Sequence, residues 1–229
     1  ISYPKEGESA VKTIAIGGVL TLFGFLLIPI LPVMGYLLRV LRETYDDHVD
    51  EPPVFEEWET LFVDGIKVLV VSFVYNLVPA IILFVFAGGA VVGLATGDTG
   101  AAGLGIASLF GGFVLAGIVG LVLFYILPAG LVNMGRTGRL GSAFAFSELR
   151  PVLFNGDYAM NWLMSIAVFI IAGVVSGLVG MIPLLGWIAG AFIGFYAYVA
   201  SAYLWGRGVN SAGGFDGEGG EPTERGAVA

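Results

Sequence analysis

Charged residues in this chain come in clusters, and the stretches between the clusters are long and apolar. Residues 13–38, 68–97, 99–135 and 158–206 contain no Asp, Glu, Lys, Arg or His. An apolar run of about 20 residues spans the hydrocarbon core of a bilayer as a helix. The first three runs each predict one crossing. The fourth has room for two, and Pro183 and Gly186 divide it. The pattern therefore predicts an all-α polytopic membrane bundle of five transmembrane helices, over about 13–38, 66–94, 104–133, 158–182 and 184–205. Pro29 and Pro32 fall inside the first span, Pro79 inside the second and Pro128 inside the third, so each is expected to be kinked. The long first run reads as a span and not as a cleavable signal.

The polar connections have a pattern of their own. Glu43 to Pro53 is an acidic loop with Asp46, Asp47, His48, Asp50 and Glu51. After Pro52–Pro53, the residues Val54, Phe55, Trp58, Leu61 and Phe62 recur at helical spacing, with Glu56, Glu57 and Glu59 facing away. This predicts a short amphipathic helix on the inner membrane face, ended by Asp64–Gly65. Phe55, Trp58, Phe62, Trp162, Trp187 and Trp205 are expected at the membrane–water interfaces. Residues 1–207 read as one transmembrane domain and 208–229 as an acidic, Gly-rich tail expected to be disordered. Basic residues near span ends set orientation. With five spans and the N-terminus outside, Arg39, Arg42, Lys67, Arg136, Arg139, Arg150, Arg207 and Arg225 fall inside, and only Lys5 and Lys12 outside. The expected topology is N-terminus out and C-terminus in the cytoplasm.

The chain also resembles itself. Ile30–Leu31–Pro32 matches Ile126–Leu127–Pro128, and FEEWETLFVDG (55–65) aligns with FSELRPVLFNG (146–156). The identities include Phe55 with Phe146, Glu57 with Glu148 and Gly65 with Gly156. This predicts two parallel repeat units, about 14–95 and 104–182, followed by a final helix at 184–205. Pro151 is expected to shorten or restart the second amphipathic piece.

Composition narrows the chemistry. Only 12% of residues are charged and mean hydropathy is +0.92, which fits a membrane chain and not a soluble one. The chain has no cysteine, which excludes disulfides, thiolate metal sites and iron–sulfur clusters. A single histidine excludes bis-histidine haem. Acidic residues outnumber basic ones 18 to 10, and only Lys5, Lys12 and Lys67 are lysines. Such lysine-poor acidic surfaces suit a high-salt cytoplasm and point to a halophilic archaeon. The chain has no basic patch for nucleic acid.

Three segments together carry a family resemblance: Gly35–Tyr36…Arg39–Val40–Leu41–Arg42, Trp58…Leu61–Phe62–Val63–Asp64–Gly65, and Phe195–Tyr196…Gly206–Arg207. On these the chain, from about Tyr3 to Arg207, resembles an uncharacterised archaeal integral membrane protein family catalogued as a domain of unknown function. The resemblance implies a fold and a location. It implies no activity, ligand or catalytic residue.

The remaining candidates are weak in chemistry. Ionisable groups at membrane depth mark proton relays and ion paths, and the expected spans hold none apart from Lys67 at the start of the second, with Arg39 and Arg207 just past the ends of the first and last. Ser72 and Asn76, just before Pro79, could form a polar pocket at a broken helix, although an interhelical hydrogen bond is the simpler reading. Gly173 and Gly177, and the triple spacing Gly186, Gly190, Gly194, read as small-residue helix-packing seams, within the chain or between copies. The acidic loop lacks the spacing of a calcium loop, and one histidine cannot build a zinc site. No phosphate-binding loop or nucleophile elbow occurs. No catalytic, cofactor or metal residues are expected. The sequence thus predicts a non-enzymatic membrane protein, a structural, assembly or accessory subunit that packs with lipids and self-associates. The alternative is a small-solute or ion transporter or channel built on the two-unit repeat.

Overall fold

The first apolar run does not form one helix. The computed structural model describes residues 3–7, 9–47 and 51–215. In it the run divides into α1 (Ala10–Leu22) and α2 (Ile30–Tyr45), with a 3-10 turn at Gly24–Leu26 between them. Leu27 takes φ 65° and ψ −41°, and the Ile28 amide donates to the Leu26 carbonyl at 2.8 Å. This is a γ-turn of positive φ, which is rare and strained for an L-residue. Pro29 then caps α2 and Pro32 lies in its first turn. Amides there have no helical partner to lose, so the two prolines start a helix and do not kink one.

The rest of the chain is α3 (Trp58–Ala95), α4 (Thr99–Thr137), a 3-10 turn (Leu140–Phe144), α5 (Phe146–Leu153), α6 (Gly156–Gly180) and α7 (Leu185–Ser211). Four of these, α3, α4, α6 and α7, are long and apolar enough to cross a membrane, and α1 is shorter. The chain is all-helical, with no strand among the described residues. Among the described residues there are thus four such helices where five spans were expected. At 38 and 39 residues α3 and α4 are each nearly 60 Å long, well beyond the ~30 Å hydrocarbon thickness.

The four long helices make two antiparallel hairpins, α3–α4 and α6–α7. Ser108 donates to the Phe86 carbonyl across the first. Trp205 donates to Ser165 across the second. The short hairpin α1–α2 packs on both. Along α7, α1 runs antiparallel: Tyr3 stacks on Tyr203 at 4.3 Å, Gly17 meets Phe195, and Phe25 meets Trp187 at 6.2 Å. Helix α2 then runs parallel to α7, from Tyr36 at Phe195 to Tyr45, whose carbonyl accepts from Asn210. The hairpin returns the chain to the end it started from. Tyr3 and the last turns of α7 share that end, which differs from the expected placement of the two termini on opposite sides.

Burial is concentrated at the same end. Tyr36, Leu41, Val132, Leu149, Tyr158 and Val209 are at most 2% exposed. By contrast Phe84, Phe110, Leu104 and Val92, along the α3–α4 hairpin, are 67–81% exposed. Large apolar side chains exposed in this density belong against lipid. The turn between α6 and α7 repeats the device of the first hairpin. Leu184 has φ 63° and ψ −53°, and the Leu185 amide donates to the Pro183 carbonyl at 2.7 Å.

Two further expectations change. No separate amphipathic helix ends at Asp64–Gly65. Residues 52–57 are not helical, and α3 runs without interruption from Trp58 through Gly65. Gly65 does not terminate a helix, because a helix interior accepts glycine at about 1 kcal/mol. In the second unit α5 continues through Pro151. In so short a helix the proline removes only one hydrogen bond, the one a residue-151 amide would donate to the Ser147 carbonyl.

Candidate functional site

The motif residues from three distant segments converge where α2 crosses α3 and α7. Gly35 and Gly65 make the crossing possible. A Cβ on Gly35 would collide with the Leu61 carbonyl, and a Cβ on Gly65 with the Leu31 carbonyl. The two backbones are therefore in direct contact, one glycine from each helix. Gly206 does the same on the other flank, against Leu41 and Thr44. Tyr36, fully buried, lies between Phe55, stacked at 4.3 Å and 10°, and Phe195 at 5.7 Å.

Arg39 ties the preceding loop to this crossing. Its guanidinium donates to the Val54 carbonyl at 3.3 Å and to Glu57 Oε2 at 3.0 Å. Glu57 adopts the left-handed conformation, φ 55°, immediately before α3 begins. The Arg39 side chain is 10% exposed but that of Glu57 is 72% exposed. Solvent screens such a pair, so it contributes less than about 1 kcal/mol and serves mainly to fix the loop. Lys67 and Asp64 pair one turn along α3 at 2.9 Å.

A second polar node braces the end of α4. Asn133, fully buried, donates to the Ser142 carbonyl at 3.0 Å and to Glu148 Oε2 at 2.8 Å. Thr137 and Ser142 share a hydroxyl hydrogen bond of 2.6 Å. Tyr75 donates to the Ala143 carbonyl and Tyr125 to the Leu153 carbonyl. These donors anchor the 140–155 connection to α3 and α4 through its backbone carbonyls and Glu148. This is the accounting a buried connection needs. Glu57 and Glu148, aligned in the expected repeat, both bond back to the preceding helix, although Phe55 is buried and Phe146 is exposed.

The residues singled out in the sequence lie mostly elsewhere. Asn76 donates to the Ser72 carbonyl of its own helix at 2.8 Å and is exposed. The cavity beside it, with Pro79 and Gly120, is only about 60 Å³ and is not lined by Ser72. Gly186 packs on Gly180 at the α6–α7 turn, but Gly173, Gly177, Gly190 and Gly194 have open space where a Cβ would stand. They are not seams within the chain. Trp162 is buried and donates to the Phe124 carbonyl, while Trp205 donates to Ser165. These two indoles hold an internal aromatic cluster with Phe124 and Tyr125. Trp58 and Trp187 are exposed, Phe62 is half-buried, and Phe55 is buried. In the acidic loop His48 and Asp50 lie outside the described residues. Glu51 lies against Gly7. Among the described residues no three His, Cys, Asp or Glu side chains come together as a metal site.

Sequence reasoning passed over Asn133 and gave Gly65 the wrong role. The signal available for Asn133 was its position, a polar amide at the end of an apolar run and 15 residues before a glutamate. What the arrangement does is mechanical: it locks α2, α3, α4 and α7 and the connecting residues 51–57 and 138–155 into one end of the molecule.

Searches of curated proteins and of solved structures return no match. A family model described as "Protein of unknown function (DUF4013)" matches residues 19–181. The match takes in α2, α3, α4, α5 and α6, with the Gly35–Gly65 crossing and the Asn133–Glu148 node, and stops before the Phe195–Arg207 motif of α7. The chain belongs to this family of unknown function, as a helical protein with four candidate membrane spans.

Proposed function

We propose that this chain is a non-enzymatic integral membrane protein, a structural, assembly or accessory subunit that works by packing its helices against lipids and further copies of itself. The observation that carries the reading is the split among its glycines. Those at the crossings are filled by neighbouring backbone, whereas Gly173, Gly177, Gly190 and Gly194 on the two helices of one hairpin face open space. Small residues on a lipid-facing helix let a second helix approach closely, and dispersion then drives pairing.

The rival reading is a transporter or channel. The Asn76 cavity, about 60 Å³, is well below the ~300 Å³ at which small-molecule sites begin, and the amide of Asn76 is used by its own helix. Both points support the structural role.

The two-unit parallel repeat belongs to this proposal, supported by the matching bonds of Glu57 and Glu148. So does a halophilic archaeal cell membrane, supported by the lysine-poor acidic composition. We further assign the polar end of the bundle to the cytoplasm. The Tyr3–Tyr203 stack supports an inside N-terminus in place of the outside one expected from five spans.

Gly190→Leu tests the self-association. A Cβ there meets nothing within 4 Å of its own chain, so the variant is expected to fold with unchanged helical content. It should run as a smaller species than wild type in mild detergent by light scattering. A folded variant of unchanged size removes the interface.

A further inference from the structure

Between α1, α6 and α7 lies a groove of about 430 Å³, lined almost wholly by apolar atoms. Its size comes from what stands on either side of it. At one level Phe195 packs on Gly17 and Phe192 on Gly18, which draws α1 against α7. One turn earlier, at Ile14, the facing residues are Ala172 on α6 and Ala197 and Ala200 on α7. These three small side chains leave space among the larger Ile171, Val175, Ile193 and Tyr196 that line the rest of the groove.

The groove has a polar end. Tyr196, Ala200, Tyr203 and Arg207 recur at helical spacing and share one face of α7. The first two line the groove. Arg207 lies seven residues beyond Ala200, about 10 Å along the helix, toward the polar end of the bundle. Its guanidinium donates to the Tyr203 hydroxyl at 3.1 Å and is exposed. Among the described residues no carboxylate pairs with it.

A hydrocarbon slot with exposed cations a short distance beyond its end, Arg207 on α7 and Lys12 on α1, neither paired with a carboxylate among the described residues, complements an amphiphile with a negative head. We propose that the groove between α1, α6 and α7 holds one hydrocarbon chain of an anionic phospholipid whose phosphate sits at Arg207. The site rests on the membrane location and not on self-association. It would make a specific lipid part of the contact between the short hairpin and α6–α7.

The test uses the full chain in mild detergent, titrated separately with phosphatidylglycerol and phosphatidylcholine and read by native mass spectrometry. Wild type is expected to retain one phosphatidylglycerol about fivefold better than phosphatidylcholine, the preference that one Arg supplies near an anionic surface. Ala172→Phe fills the groove and should lose both lipids while keeping wild-type helical circular dichroism. If that variant unfolds, Ala172→Leu is read in its place. Arg207→Gln should keep one lipid but lose the headgroup preference, and Arg207→Lys should restore it. The site is overturned if wild type and the Ala172 variants retain lipid equally, since that shows a general lipid shell only. It is also overturned if the preference survives Arg207→Gln.

Discussion

Glycine serves two ends in this chain, and the neighbours of each residue separate them. At Gly35 and Gly65 the missing side chain is replaced by the partner helix's carbonyl. Adding one methyl group forces two backbones apart, because neither neighbour is a flexible side-chain tip. Gly35→Ala and Gly65→Ala should each destabilise the fold by about 1–3 kcal/mol, the range for overpacking a tight contact, seen as a lower melting temperature in detergent. Gly117, on the exposed face of α4, has open space around it. Gly117→Ala should match or exceed wild type, since alanine favours a helix by up to about 1 kcal/mol. If all three variants melt alike, the crossing is not as close as described. Spacing in the sequence drew attention to Gly173, Gly177, Gly190 and Gly194 and away from Gly35. A stripe of glycines is needed where two helices run alongside each other. A crossing at one point needs only one glycine per helix, and that leaves no periodic signal.

At the level of the element, hydropathy found four long helices correctly and hid the break in the first run. A turn in a soluble protein announces itself with polar residues. The turn between α1 and α2 is built from Phe23, Phe25, Leu26, Leu27 and Ile28, all 44–74% exposed. The amides of Phe23, Leu26, Leu27 and Ile28 bond to carbonyls within the turn or the preceding helix, so most of the backbone needs no water and the side chains remain apolar. The one readable sign was Pro29 followed by Pro32, which fits a helix start better than a double kink. The amphipathic segment misled for a related reason. Its apolar residues are buried under α2 or continue into α3, so the spacing of a surface helix came from two different structures. Closing these turns tightly costs strain at Leu27 and Leu184, both at positive φ. Leu27→Gly and Leu184→Gly should each raise stability by about 1 kcal/mol, because glycine adopts that region without the Cβ penalty. A loss of stability of similar size in both variants would mean that their exposed side chains matter more than the strain.

For the whole molecule the decisive feature is that one end carries the polar chemistry. Arg39, Arg42 and Lys67 border the α2–α3 connection, Arg136, Arg139 and Arg150 the α4–α6 connection, and Arg207 the end of α7. With five spans and an outside N-terminus, Lys5 and Lys12 are exceptions to an otherwise one-sided distribution. Because the α1–α2 hairpin turns back, Tyr3 meets Tyr203, and both lysines join the same end as the arginines. The turns at the opposite end, 23–29, 96–98 and 181–184, contain no Lys or Arg. The asymmetry of basic residues then becomes complete, which is the stronger form of the rule that places them in the cytoplasm. The chain has no cysteine to interfere with labelling, so single cysteines at Ser9, Thr99 and Ser211 can report the arrangement in intact cells. An impermeant thiol reagent should reach Thr99→Cys from outside. It should reach Ser9→Cys and Ser211→Cys only after the cells are opened. Labelling of Ser9→Cys together with Thr99→Cys would restore the outside N-terminus and require α1 to leave its place against α7.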